Sequence, residues 1–287
     1  MSQTPTQFAE RERCACPLCG ADSPQATPYT DQGFAVVRCA ACRSWYLSPR
    51  LPEAVMAEAY RSGAYFGGEG AGYDDYGEQE QSLRATFRRL ADHLARQGVA
   101  SGRLLEIGCG YGYFLEEAAP YFSKRYGTEF SPPAAARARQ AADHVWEGGI
   151  DAVPEGQRFD CIVALHVIEH VYDPKAFMAK VRQHLAPGAH CVLAAPDMNG
   201  FWRKLMGRRW PSFKYPEHVV FYDADSLRNL MAEAGLSGIK PLPYPHAFPL
   251  GQICHKLRLP MLAALSDLSV WLPGTTVAAA GTLEARG

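Results

Sequence analysis

The chain lacks an excess of either charge: 29 Lys and Arg stand against 30 Asp and Glu, a formal net charge of −1 over 287 residues. A dedicated nucleic-acid binder carries a basic surface to neutralise phosphates, so that class is disfavoured and a small-molecule substrate is expected. Long hydrophobic runs are also missing. Although 47% of residues are hydrophobic, no stretch approaches the roughly 18 consecutive apolar residues that suggest a membrane helix. Residues Met1 to Arg13 are polar and show no secretory signal, which leads us to expect a cytoplasmic protein. Repeats and low-complexity tracts are absent as well. What remains is the composition of a soluble enzyme, long enough for one full α/β core plus a small extra domain.

Cysteine is plentiful at one end. More than half of the cysteines fall at or before Cys42, as Cys14, then Cys16-Pro17-Leu18-Cys19, then Cys39-Ala40-Ala41-Cys42. Without an export signal, reduced thiols or metal ligands are expected rather than disulfides. Two CxxC knuckles, the first ending at Cys19 and the second starting at Cys39, match a four-thiolate zinc pattern, in which the ion closes a domain too small for its own core. Cys16, Cys19, Cys39 and Cys42 are therefore the expected structural Zn²⁺ ligands. Cys14 is a spare thiol, or replaces Cys16 if the register shifts; a redox CxxC pair is the rival reading. Four thiolates leave no open position for catalysis, so the module shapes or covers the substrate side.

The segment Leu104-Leu105-Glu106-Ile107-Gly108-Cys109-Gly110-Tyr111-Gly112 is an apolar run ending in an acid, then three glycines at alternate positions. It reads as a strand feeding a ligand-binding turn, because glycine tolerates positive φ and lets a ligand approach the main chain closely. The following helix, from about Tyr113, offers its free N–H groups there. A dinucleotide fingerprint would be G-x-G-x-x-G; here the third glycine comes one position early, which argues against NAD. Taken alone, the loop also fits a structural turn. Arg125-Tyr126-Gly127-Thr128-Glu129 ends another short strand, with Glu129 at its tip. In doubly wound folds an acid at the second strand tip, about 20 residues past the glycines, binds ribose hydroxyls, and the interval from Gly112 to Glu129 fits that role. Phe159 to Leu165 is a nearly continuous apolar run, as expected for a parallel strand buried on both faces.

The E-x-G-x-G-x-G pattern resembles motif I of class I S-adenosylmethionine (SAM) methyltransferases, in which the loop wraps the methionine part of the cofactor. The resemblance is strongest over residues 103–235 and implies a Rossmann-like α/β fold with a seven-stranded sheet, preceded by the small zinc ribbon. It implies SAM binding by Glu106, Gly108, Cys109, Gly110, Tyr111, Gly112, Glu129, Phe130 and Leu165, with Ile150 and Asp151 flanking adenine. The expected organisation is a ribbon over 10–50, a substrate-side loop and leading helix over 51–98, and the methyltransferase domain over 99–287 with a lid insertion at 196–222. Helices are expected at 78–97, 173–184 and 223–234, further strands at 189–195, 238–242 and 275–283. Met261, Leu262, Leu265, Leu268 and Leu272 have helical spacing and are expected to pack on the core or on a second copy in a homodimer.

The chain is similar both to ubiquinone-biosynthesis O-methyltransferases, which usually lack the ribbon, and to deoxysugar C-methyltransferases, which usually carry a further C-terminal domain. The implied activity is methyl transfer to an oxygen or carbon of a small biosynthetic intermediate. A ribosomal-RNA methyltransferase with a zinc module, and a non-catalytic SAM- or nucleotide-binding assembly protein, are the alternatives.

Three groups are candidates for the chemistry. Tyr215-Pro216-Glu217-His218 resembles the Y-x-E-H segment of the sugar enzymes, and implies His218 as base with Glu217 and Tyr215 beside it, joined by Tyr76. His166-Val167-Ile168-Glu169-His170 follows the fourth strand, where the methyl group should point; His166 is a base or substrate contact there, or the segment is structural. Ubiquinone-type enzymes carry E-x-x-E-H at this place and can hold a divalent cation, with His166 here in place of the first acid. In the lid, Arg203, Lys204, Arg208, Arg209 and Lys214 form either a solvated face or a site for a phosphate or carboxylate, and Trp202, Trp210, Phe213 and Tyr215 could wall an apolar ligand.

Overall fold

The structure is a computed structural model that describes residues 10–61, 79–244, 246–251, 254 and 268–285. Tyr76, the loop around it and Met261 to Leu265 lie outside the described residues. The N-terminal part contains β1 (Pro24–Gln25), β2 (Thr30–Asp31), β3 (Phe34–Cys39) and β4 (Trp45–Leu47), followed by helix α1 (Glu53–Arg61). Next come α2 (Glu80–Arg96), β5 (Arg103–Ile107), α3 (Tyr113–Glu117), β6 (Lys124–Glu129), α4 (Pro132–Ala138), β7 (His144–Glu147) and β8 (Phe159–Leu165). They are followed by α5 (Pro174–His184), β9 (Leu185–Pro196), α6 (Phe201–Met206), β10 (Val220–Phe221) and α7 (Ala224–Glu233). The chain closes with β11 (Ser237–Pro241), β12 (His246–Pro249), β13 (Ser269–Leu272) and β14 (Thr276–Thr282).

Among the described residues, seven strands form the main sheet in the order β11-β14-β9-β8-β5-β6-β7. Strands β9 through β7 are parallel, and β14 runs antiparallel between β9 and β11. Alternate residues of each central strand enter opposite core layers, which is why the stretch from Cys161 to Leu165 in β8 is continuously apolar. Leu105, Ile107, Ile162 and Leu193 pack with α5, α7 and the ribbon, whereas Leu104, Val163 and Val192 pack with α2 and α3. Helix starts follow local chemistry. Asp173 accepts the Ala176 N–H at 3.0 Å ahead of Pro174, and Asp223 forms a capping box with Ser226 at 2.9 Å in both directions.

Two expectations change. The segment after residue 51, expected as loop, holds α1, whose Met56 is buried. The helical face through Leu272 is not seen where described: Leu268 is exposed and Leu272 ends β13, paired antiparallel with β12. The lid joins the ribbon sheet, because β10 pairs with β4 and extends it. The contact continues inward, since Leu47 N–H donates to Val219 C=O at 2.9 Å and Val219 N–H donates to Glu169 C=O at 2.8 Å. Tyr29 stacks on Phe213, and its hydroxyl bonds Arg203, which ties the same two parts together by side chains.

Candidate active site

A cavity of about 330 Å³ opens at the C-terminal ends of β5, β6 and β8, where the order of the sheet reverses direction. Doubly wound folds bind ligands at such a switch point. Of the expected cofactor residues, Gly108, Gly110, Glu129, Phe130, Ile150, Asp151 and Leu165 line it, together with His166. Gly108, Gly110 and Gly112 have φ of 68°, 53° and 83°, the region that glycine enters freely. A Cβ on Gly108 would meet Val167 Cγ2 at 2.6 Å.

Glu129 latches the loop. Its carboxylate accepts the Gly110 N–H and the Ser131 N–H, each at 2.9 Å. Burial pushes its pKa up, against these backbone hydrogen bonds. Both oxygens keep lone pairs for further donors. Glu106 lies under the loop, its pKa raised well above the ordinary carboxylate range by burial and by Glu129, and its Oε2 is buried with no hydrogen-bond partner among the described residues. Three expected residues turn elsewhere. The Cys109 side chain packs under the sheet against Gly127, Gly112 starts α3 against Ala138, and Tyr111 lies under Arg137, whose guanidinium carbon is 4.7 Å from the ring centroid.

The opposite wall comes from segments far away in sequence: Met56 and Tyr60 of α1, Leu83 and Phe87 of α2, then Tyr244 and His246. Thr86 holds β12 in place by accepting the Ala247 N–H at 2.8 Å. None of these residues carries a local motif, and no sequence signal marks them.

His166 stands at the junction of the walls. Its φ of 57° is in the left-handed region, which costs a non-glycine residue on the order of 1–3 kcal/mol and clusters at functional sites. Its Nδ1 faces Glu169 Oε1 at 3.4 Å, and its Nε2 is buried with no partner among the described residues.

The Tyr215 to His218 group is arranged differently. Tyr215 stacks between Phe34 and Phe213 at the ribbon. Glu217 and His218 are each 4% exposed and do not line the cavity. His218 lies behind His170, with ring centroids 4.8 Å apart, and its Nδ1–H donates to the Ser212 carbonyl at 2.8 Å. Burial, then the neighbouring His170 and Lys214, push its pKa well below the usual value. Glu169, His170 and His218 bring ligand atoms within 4.8 Å of one another, but His170 already bonds the Tyr60 hydroxyl at 3.0 Å and the backbone of Glu217. The lid cations Arg203, Lys204, Arg208, Arg209 and Lys214 do not line the cavity either.

At the ribbon, the four knuckle sulfurs lie within 4.8 Å of one another, Cys16 to Cys42 at 3.5 Å and Cys19 to Cys39 at 3.6 Å. Tetrahedral Zn–S bonds of about 2.3 Å give sulfur separations of about 3.8 Å, so the donor set fits that ion. Burial raises the Cys39 thiol, yet hydrogen bonds from Cys42, Ser23 and Cys19 outweigh it and bring the pKa to about 6. Cys14 instead turns its thiol to the Leu47 carbonyl at 3.5 Å.

A family model described as "Methyltransferase domain" matches residues 78–240, more than half of the chain. The chain belongs to that methyltransferase family. A ubiquinone biosynthesis O-methyltransferase of Cereibacter sphaeroides is 30% identical over 176 residues, covering 55% of this chain and 69% of that protein. One from Psychrobacter arcticus is 32% identical over 122 residues, 38% of this chain and 47% of that protein. Among solved structures, a magnesium protoporphyrin IX methyltransferase of Synechocystis with bound SAH shares the fold, with TM-score 0.54 and 12% identity over 80% of this chain and 99% of that one. A SAM-dependent methyltransferase of Archaeoglobus fulgidus gives TM-score 0.52 and 13% identity over 71% of this chain and 94% of that one. The enzyme is thus a SAM-dependent methyltransferase, and no helix among the described residues is long and apolar enough to cross a membrane.

Proposed function

We propose that the enzyme methylates an oxygen of a small biosynthetic intermediate, with His166 as the group that takes the acceptor's proton. The observation that carries this reading is the placement of His166 on the cavity wall among the expected cofactor residues, with its Nε2 lacking a partner among the described residues. SAM, when bound, supplies an electrophilic methyl group. Glu129 would hold the ribose hydroxyls, Ile150 and Asp151 would flank adenine, and Glu106, whose buried Oε2 has no partner among the described residues, would meet the methionine ammonium. Glu169 steadies His166 through Nδ1 and balances its charge on protonation. The curated relatives that act on oxygen support this choice over carbon. The ribbon is proposed to hold one structural Zn²⁺ through Cys16, Cys19, Cys39 and Cys42, and to brace the lid. Incubation with methyl-tritiated SAM and separate pools of cell metabolites, tRNA and rRNA tests the substrate class. Label should enter the small-molecule pool; label confined to RNA would refute the reading.

A further inference from the structure

His246, the first residue of β12, lines the cavity, and its ring centroid lies 5.6 Å from that of His166 with the planes inclined by 64°. The two rings come from segments far apart in sequence and meet because the β12–β13 pair is fixed to α2 through the Thr86 bond to Ala247 and the Ser82 bond to Ser269, each at 2.8 Å. The carboxylate of Glu169 beside Nδ1 of His166 favours a proton on that nitrogen, leaving the lone pair on Nε2, which has no partner among the described residues. Burial above all brings the His246 pKa down to about 3, so its ring is neutral and can donate one N–H.

An oxygen hydrogen-bonded to a ring nitrogen at about 2.8 Å lies about 3.9 Å from the ring centroid. Placed so from two centroids 5.6 Å apart, one oxygen subtends about 90° between them, close to the angle between a hydroxyl's proton and its lone pairs. We propose that His246 and His166 grip one neutral hydroxyl oxygen of the acceptor between them, His246 donating an N–H to that oxygen and Nε2 of His166 receiving its proton. This rests on the methyltransferase reading of the cavity. The acceptor's O–H bond breaks and an N–H bond forms on His166; the oxygen's electron pair takes the methyl group, and the C–S bonding pair stays on the cofactor's sulfur. A carbon acceptor would leave the His246 donor unmatched, so the pair selects for oxygen.

The test uses full-length protein labelled with ¹⁵N at histidine, loaded with S-adenosylhomocysteine, with phenol as the probe hydroxyl. Long-range NMR should show the ring nitrogens of both His166 and His246 shifting as phenol is added. His246→Phe should weaken phenol binding about tenfold, whereas His246→Gln, which keeps an N–H donor, should stay within about threefold of the parent. Both variants should bind S-adenosylhomocysteine within about twofold of the parent by calorimetry, since neither touches the cofactor end. The proposal is overturned if phenol shifts neither ring or only one, or if His246→Phe binds phenol as the parent does. Failure of the parent to bind S-adenosylhomocysteine would instead sink the function proposed for the cavity.

Discussion

Glu129 carries two duties through one carboxylate: it holds Gly110 and Ser131 by their N–H groups and offers its remaining lone pairs to the ribose. Replacement by Ala should weaken SAM binding by about 1–3 kcal/mol in a calorimetric titration; an unchanged dissociation constant would show that the acid serves the loop alone. Gly110→Val places a branched side chain on the cavity wall at a φ of 53°. It should abolish binding and lower the melting temperature, because a β-branched residue is strained there. His166→Ala should lower kcat by about 10²–10⁴ with SAM affinity kept, the usual range for losing an acid-base group. His218→Ala should chiefly destabilise, by about 1–3 kcal/mol, since it leaves the Ser212 carbonyl without its buried donor. A larger kcat loss for His218→Ala than for His166→Ala would reverse the two assignments. Both histidines were legible in the sequence as candidates. What the sequence could not tell is which side of the cavity wall each faces, because His218 is turned inward by the Ser212 carbonyl, which no pattern marks.

At the scale of elements, the ribbon, β10 and the turn at Glu169 form one hydrogen-bonded path through Leu47 and Val219. Cys39→Ser should therefore release metal, as elemental analysis would measure, and also disturb the acceptor side, with kcat falling about tenfold or more while SAM affinity stays within about threefold. Normal turnover in a metal-free variant would break this link. The buried imidazoles add a pH dependence. His170, His218 and His246 all have pKa values lowered first by burial, so the unfolded chain binds more protons below its ordinary histidine value of about 6.5. Their contribution to stability is present above that pH and lost on acidification, by on the order of 1 kcal/mol per pH unit for each group. The urea midpoint should fall between pH 7 and 5, less steeply in His218→Gln; an identical slope would remove His218 from the cause. Strands β5, β6 and β8 and the helices starting near Asp173 and Asp223 were legible because short apolar runs and helix-start residues are local signals. Helix α1 was not, as its contacts are made by Met56 and Tyr60 against distant segments, and the β12–β13 pair was not, since its register depends on α2.

For the whole molecule, the sheet order β11-β14-β9-β8-β5-β6-β7 places the glycine loop, the acid at the tip of β6 and the end of β8 around one opening. That arrangement followed from motif spacing, whereas the far wall did not, because α1, α2 and β12 reach it only through the folded topology. The central claim is that SAM occupies this opening with its methyl end toward His166. Hydrogen exchange with and without saturating S-adenosylhomocysteine tests it most directly, since ligand protection is read along the backbone. Protection should concentrate on residues 106–112, 129–131, 148–151 and 165–167, with little change in the ribbon; no binding, or protection that leaves the glycine loop and the end of β6 unchanged, would contradict it.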